Sequence, residues 1–209
     1  MRAPGQYKGH YGALIGSTLY QLVRFSQLRR VVLLGTLVFG SFCSFWTTLT
    51  FHLSGPPFHY GSGVIGIFGF LAIGGAAAST VFGRLADRTA PARVQLYTVA
   101  MLVASVALIR IFPQSAWAFV VATIGLDVGV QATQVNNLAQ VYGLDAAAHS
   151  RINTVYMTCM FIGGAFGTWM GVLCWEHGGW PLVSLQLLLW SLGALVVAAL
   201  GYRAFRRQA

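Results

Sequence analysis

The sequence predicts an all-α membrane protein whose chain crosses the bilayer six times. Three observations carry that prediction. Only 8% of the 209 residues are charged and 56% are hydrophobic, whereas a soluble domain carries about 25% charged residues; the mean hydropathy is +0.68. Long uncharged runs alternate with short charged islands: Ser62 to Phe82 and Val94 to Ile109 flank Gly83-Arg84-Leu85-Ala86-Asp87-Arg88. At ~1.5 Å per residue each run crosses, or nearly crosses, a ~30 Å hydrocarbon core, so the island can only be a tight turn at one membrane face. Of the 13 Lys and Arg, all but Arg110 fall in segments that six crossings place on one side. The retention of basic loops assigns that side, and both termini, to the cytoplasm. The net charge of +9 therefore reports topology and attraction to anionic lipid and not a nucleic-acid partner.

Residues 1–30 are the least apolar part. Leu14, Ile15, Leu19, Leu22 and Val23 recur at helical spacing, with Gln21, Arg24 and Arg29 off that stripe. This pattern predicts an amphipathic helix lying at the cytoplasmic interface and too short to span. Arg24, Arg29 and Arg30 follow it where a signal peptide would show a small-residue cleavage site, so the segment is expected to stay on the chain.

The six-helix bundle is predicted over residues 31–202. Span one runs from about Val31 to His52, and its second half carries Ser41, Ser44, Trp46, Thr47, Thr48 and Thr50. Such hydroxyls either line an aqueous cavity or pack between helices, bonded back to their own backbone. His52 at the outer end is expected to be solvated. The outer loop Leu53 to Gly61 is stiffened by Pro56-Pro57. Span two, about Ser62 to Phe82, is thin, with Gly66, Gly69, Gly74 and Gly75 inviting close helix approach. Span three covers about Val94 to Phe112. Arg110 near its outer end either snorkels to the headgroups or faces an outer vestibule.

Span four, about Ala116 to Leu138, holds the chemistry. Asp127 sits near its middle, with Gln131 and Gln134 four and seven residues on. At ~100° per residue the three fall within a stripe of roughly 60°. A carboxylate at mid-membrane costs about 2.5–3.5 kcal/mol even on the lenient insertion scale. It persists by facing a cavity, binding a proton or joining a hydrogen-bond clamp between helices. Asp127, Gln131 and Gln134 are thus the candidate substrate or proton site, with the clamp as the alternative. Asn136, Asn137 and Gln140 follow toward the cytoplasmic end.

Span five, about Ile152 to Trp175, spaces Gly163, Gly167 and Gly171 by four, which lines one face with a close-packing seam. An outer turn is expected over Glu176 to Pro181. Span six covers about Leu182 to Leu200, and residues 203–209 form a basic cytoplasmic tail. Cys43, Cys159 and Cys174 lie in apolar runs with no ligand spacing and read as small buried hydrophobes. No metal, cofactor or catalytic residue is expected: Gly-x-Ser-x-Gly, His-Glu-x-x-His and paired intramembrane aspartates are all missing. Nor is there a charged ring of the kind that lines channels.

Gly83, Arg84, Asp87 and Arg88, with Arg93 just beyond, resemble the loop motif that joins the second and third helices of each half of a major facilitator superfamily transporter. The usual Gly and basic pair are replaced here by Thr89-Ala90-Pro91-Ala92-Arg93. A second resemblance, to the fourth-to-fifth helix region in the second half of bacterial drug- and sugar-efflux facilitators, rests on Asp127-x-Gly129-x-Gln131, Tyr142-x-Leu144-Asp145 and Arg151-Ile152-Asn153-Thr154-Val155-Tyr156. It implies two three-helix inverted repeats forming the C-terminal half of a facilitator fold, in a bacterial inner membrane. It also implies a cytoplasmic gating motif at Gly83, Arg84, Asp87, Arg88 and Arg93, and a secondary gate at Asp145, Arg151 and Asn153. The implied activity is secondary transport of a small solute, with proton-driven efflux as the mechanism. A half bundle needs a partner, so the expectation is a homodimer or a separate N-terminal half. Otherwise the chain is a fragment or accessory subunit without transport of its own.

Overall fold

Among the described residues of the computed structural model, four helices are long and apolar enough to cross a membrane, and glycine decides how two of them meet. The structure describes residues 11–71, 90–145 and 148–207. The described residues outside turns are helical: α1 (Tyr11–Arg24), α2 (Ser26–Ser54), α3 (Ser62–Leu71), α4 (Pro91–Ile111) and α5 (Ala116–Tyr142) precede a helical stretch over His149–Arg206. That last stretch has 58 residues, about 87 Å of helix at 1.5 Å per residue, far more than one crossing needs. It breaks at Gly179, where φ is 59° and ψ is −153°, a backbone region essentially reserved for glycine. We therefore describe two arms, α6 (residues 149–178) and α7 (residues 180–206). The outer turn expected over Glu176 to Pro181 is consequently not a loop. Helix continues through Glu176, His177 and Gly178, and the reversal is concentrated at Gly179. Pro181 falls in the first turn of α7, where its missing N–H costs nothing.

Pairwise contacts give the direction of each arm. Going up α2, Gly35 meets Tyr156, Gly40 meets Gly167 and Ser44 meets Gly171, so α6 runs parallel to α2. Gly40 also meets Trp190 and Ser44 bonds Gln186, so α7 runs antiparallel. Gln27 bonds Gln140 at one end, and His52 bonds Pro113, just before α5, at the other, so α5 is antiparallel too. Consecutive arms α4 to α7 thus alternate in direction. One end of the bundle gathers Arg24, Arg29, Arg30, Arg93, Arg151, Arg203 and Arg206 and is called the basic end below.

The seam expected on α6 is present and interlocked. Gly163, Gly167 and Gly171 lie on Thr36, Gly40 and Ser44 of α2, and a Cβ on Gly167 would overlap the Gly40 carbonyl. Both helices thus place small residues four apart, so their backbones touch, which is how helices in lipid gain dispersion contact without a hydrophobic driving force. The hydroxyls of span one follow the packing alternative. Ser41, Ser44 and Thr48 are fully buried. Ser41 donates to Leu37 O at 2.9 Å, Thr48 to Ser44 O at 2.7 Å, and Thr47 to Cys43 O at 2.8 Å.

At the far end His52 is not solvated. It is 7% exposed and stacks on Trp180 with ring centroids 4.3 Å apart, with Phe58, Phe119 and Trp175 around it. Its Nε2 lies 2.9 Å from Pro113 O. A carbonyl can only accept, so Nε2 carries the proton. The chain reverses on both sides of this ring, and neighbouring aromatic side chains cover it more completely than a sequence position at a helix end suggests. Arg110 is exposed, and its Nη1 donates to Pro181 O and to Ser184 Oγ, each at 2.9 Å, joining the end of α4 to the start of α7.

α1 packs on α2 and on the helical stretch His149–Arg206. It turns Leu19 and Val23 outward, 55% and 72% exposed, and buries Gln21, the reverse of a stripe facing the protein. Outward apolar side chains on a basic helix suit an interfacial position. Arg29 Nη1 donates to Leu22 O and Val23 O at 2.8 and 3.0 Å, satisfying carbonyls that the end of α1 leaves open.

Candidate functional site

The middle of α5 is positioned by its neighbours on both sides. Ser115 caps the helix, its Oγ accepting from Ala118 N. Gly125 and Gly129 then bring α5 against Ser105 and Thr98 of α4. With α4 on that side, the next face of α5 meets α2, and there Asp127 is buried, 2% exposed. Trp46 of α2 donates its indole N–H to Asp127 Oδ1 at 3.2 Å. The indole is itself fixed edge-on by Phe42 and Phe45. Asp127 Oδ2 is buried with no partner, and so is Thr123 Oγ1 one turn away on α5. Buried polar atoms are normally satisfied, so two orphans on successive turns mark one place where this bundle departs from plain packing; Gln21, Gln140, Asn153 and Gln186 each hold another such atom.

The other two members of the predicted stripe go elsewhere. Gln134 Nε2 contacts Met160 Sδ of α6 at 2.9 Å. Gln131 is half-buried. A cavity of about 210 Å³ lies instead at the basic end, between α2, α4, α5 and α7, and Gln140 is its lining residue from α5.

Between Asp127 and that cavity the helices are tied by a polar ladder. Thr98 and Thr133 hydroxyls meet at 2.7 Å, Gln95 Nε2 donates to Asn137 Oδ1 at 2.6 Å, and Asn137 Nδ2 donates to Tyr156 OH at 3.3 Å. Asn136 Nδ2 donates to Pro91 O at 2.8 Å, at the start of α4. Asn136 and Asn137 were visible in the sequence as polar residues in a span. Gln95, which bonds Asn137, and Thr98, which bonds Thr133, were not singled out; Tyr156 entered only through the family resemblance, and Trp46 was named in span one without its link to Asp127. Trp46 had one usable signal, since an indole N–H inside a span requires an acceptor.

Of the gating residues, Gly83, Arg84, Asp87 and Arg88 lie outside the described residues, and Arg93 is exposed in the first turn of α4. Asp145 pairs with Arg24 of α1 at 2.9 Å. Arg151 is exposed, and Asn153 Oδ1 is buried without a partner. Among the described residues no group of three or more His, Cys, Asp or Glu side chains could hold a metal ion.

No protein-family profile matches the chain, and no solved structure matches it. Two curated proteins do: the uncharacterized transporter YgaY of Escherichia coli O157:H7 and the protein of that name in Escherichia coli strain K12. Each is 34% identical over 199 residues, covering 95% of this chain and 50% of the relative. The chain therefore spans about half the length of the curated relatives it matches. It is an all-helical chain of multi-pass membrane character, similar over nearly all its length to half of proteins called transporters.

Proposed function

We propose that this chain is a six-helix half of a major-facilitator-type secondary transporter that moves a small solute across a bacterial inner membrane, with both termini in the cytoplasm. Proton-coupled efflux is the mechanism we favour. Asp127 is the proton carrier in this reading, with Gln131 and Gln134 along the same helix face as substrate contacts. Gly83, Arg84, Asp87, Arg88 and Arg93 form its cytoplasmic gate, supported at Asp145, Arg151 and Asn153. The observation that carries the reading is Asp127 Oδ2, a buried carboxylate oxygen at mid-helix with no partner. A carboxylate there is costly unless it is used, and an open lone pair is what a proton or a substrate donor would occupy. Two six-helix bundles rocking against each other provide alternating access, so the transporting unit is a pair: two copies of this chain, or this chain and a separate first half.

Asp127→Asn tests this. Reconstituted with its partner bundle in vesicles, the wild-type chain should dissipate an imposed pH gradient when substrate is present. The variant should insert and fold but lose that coupled flux. Unchanged proton-coupled flux in Asp127→Asn would sink the role of this carboxyl.

A second reading is a half bundle that transports nothing by itself, favoured by the 50% coverage of both relatives. The mass of the nanodisc-embedded particle separates the two. A stable dimer of the 22.5 kDa chain supports a self-contained transporter, and a monomer inactive in flux supports the half bundle.

A further inference from the structure

We infer that the cavity at the basic end is a binding site for an organic anion, a phosphate or carboxylate group carried on a small apolar body. Three features that each favour negative charge converge on it. Arg30 lines the cavity, half-exposed, and makes no ion pair or hydrogen bond among the described residues. Gln140 lines it from α5. Its Oε1 accepts from Gln27 at 3.3 Å, which leaves Nε2, a donor buried without a partner. The third is the N-terminus of α4, whose first-turn residues Pro91 and Ala92 form part of the wall. This 21-residue helix has no side-chain cap and no acidic residue in its first turn; Pro91 has no N–H and the Arg93 N–H bonds Ala90 O, so the Ala92 N–H and the positive end of the helix dipole are what the wall offers. Among the described residues no acidic side chain lines the cavity. A guanidinium, an amide donor and a helix N-terminus together make an anion site.

The opposite wall sets the rest of the ligand. It is built from Val197 and Phe205 of α7 and closed by Gly201. A Cβ at Gly201 would meet no atom within 4 Å, so the glycine leaves space that any side chain would take. At about 210 Å³ the cavity is larger than an inorganic anion needs and accommodates an attached apolar group. Two sources share this chemistry, the headgroup of an anionic lipid and a free organic anion. The inference is independent of Asp127 and of any transport cycle.

The test titrates the 209-residue chain, in a neutral detergent, with phenyl phosphate and separately with dihexanoyl phosphatidate, and reads Kd from the shift in thermal unfolding. The wild-type chain should bind at least one probe. Arg30→Gln should weaken that binding by about tenfold or more, the loss expected for a charge-assisted hydrogen bond. Gly201→Leu should abolish binding by filling the cavity, with the unliganded melting temperature of both variants close to wild type. Binding of phenyl phosphate alone identifies a soluble organic anion, and binding of phosphatidate alone identifies the lipid headgroup. No binding of either probe to the wild-type chain, or an unchanged affinity in either variant, overturns the inference.

Discussion

Trp46 on α2 and Asp127 on α5 are joined by one hydrogen bond, indole N–H to carboxyl Oδ1 at 3.2 Å. It is a buried polar link between these helices, and it occupies only one of the two carboxyl oxygens. Trp46→Phe keeps most of the aromatic packing against Phe42 and Phe45 and removes the donor. It should destabilise the chain by about 1–3 kcal/mol, the cost of stranding a buried acceptor. In Trp46→Phe/Asp127→Leu the two effects should be non-additive, because either substitution alone removes the bond. Thermal unfolding of the four species in one detergent measures the coupling, and strict additivity would remove the bond from the account.

The seam between α2 and α6 predicts a position-specific intolerance. Gly167→Ala places a methyl group into the Gly40 carbonyl. Backbone atoms cannot step aside as a side-chain tip can, so the helices must separate. A loss of about 1–3 kcal/mol is expected from overpacking, with a lower unfolding temperature. Gly193→Ala is the matched control. Its new methyl would meet Leu37 Cδ1 at 3.8 Å, an ordinary contact, and its stability should stay near wild type or rise slightly, since Ala is the better helix former. Equal behaviour of the two variants would contradict the backbone contact.

Gly179 predicts a conformational cost of another kind. Its φ of 59° with ψ of −153° is closed to residues bearing a Cβ, although Pro181 Cδ, 3.9 Å away, leaves room for the atom itself. Gly179→Ala should therefore cost about 1–3 kcal/mol through the backbone alone. The reversal between α6 and α7 should loosen, and hydrogen exchange should rise around residues 176–182 before it rises elsewhere. Exchange that stays at wild-type levels there would show the reversal does not depend on this conformation.

Composition, the spacing of charged islands and the one-sided placement of Arg were enough to determine a helical, lipid-embedded chain, because lipid demands that every span satisfy its own backbone. The same local logic located α4 and α5 to within a few residues and picked out Gly163, Gly167 and Gly171, since a helix repeats its faces whatever it later packs against. It also marked Asp127, because charge in an apolar run is costly wherever the helix lands. What it could not supply was partners. Whether Ser44 lines water or meets a glycine, whether His52 is wet or sits on Trp180, and which oxygen of Asp127 stays open depend on contacts between residues far apart in the chain. The turn after span five shows the limit most plainly: a stretch rich in Gly and Pro reads as a loop, but helix hydrogen bonds held up to a single residue that could take φ of 59°. The cavity at the basic end is likewise a product of tertiary structure alone, because Arg30, Pro91, Gln140 and Gly201 come together only when four helix ends do.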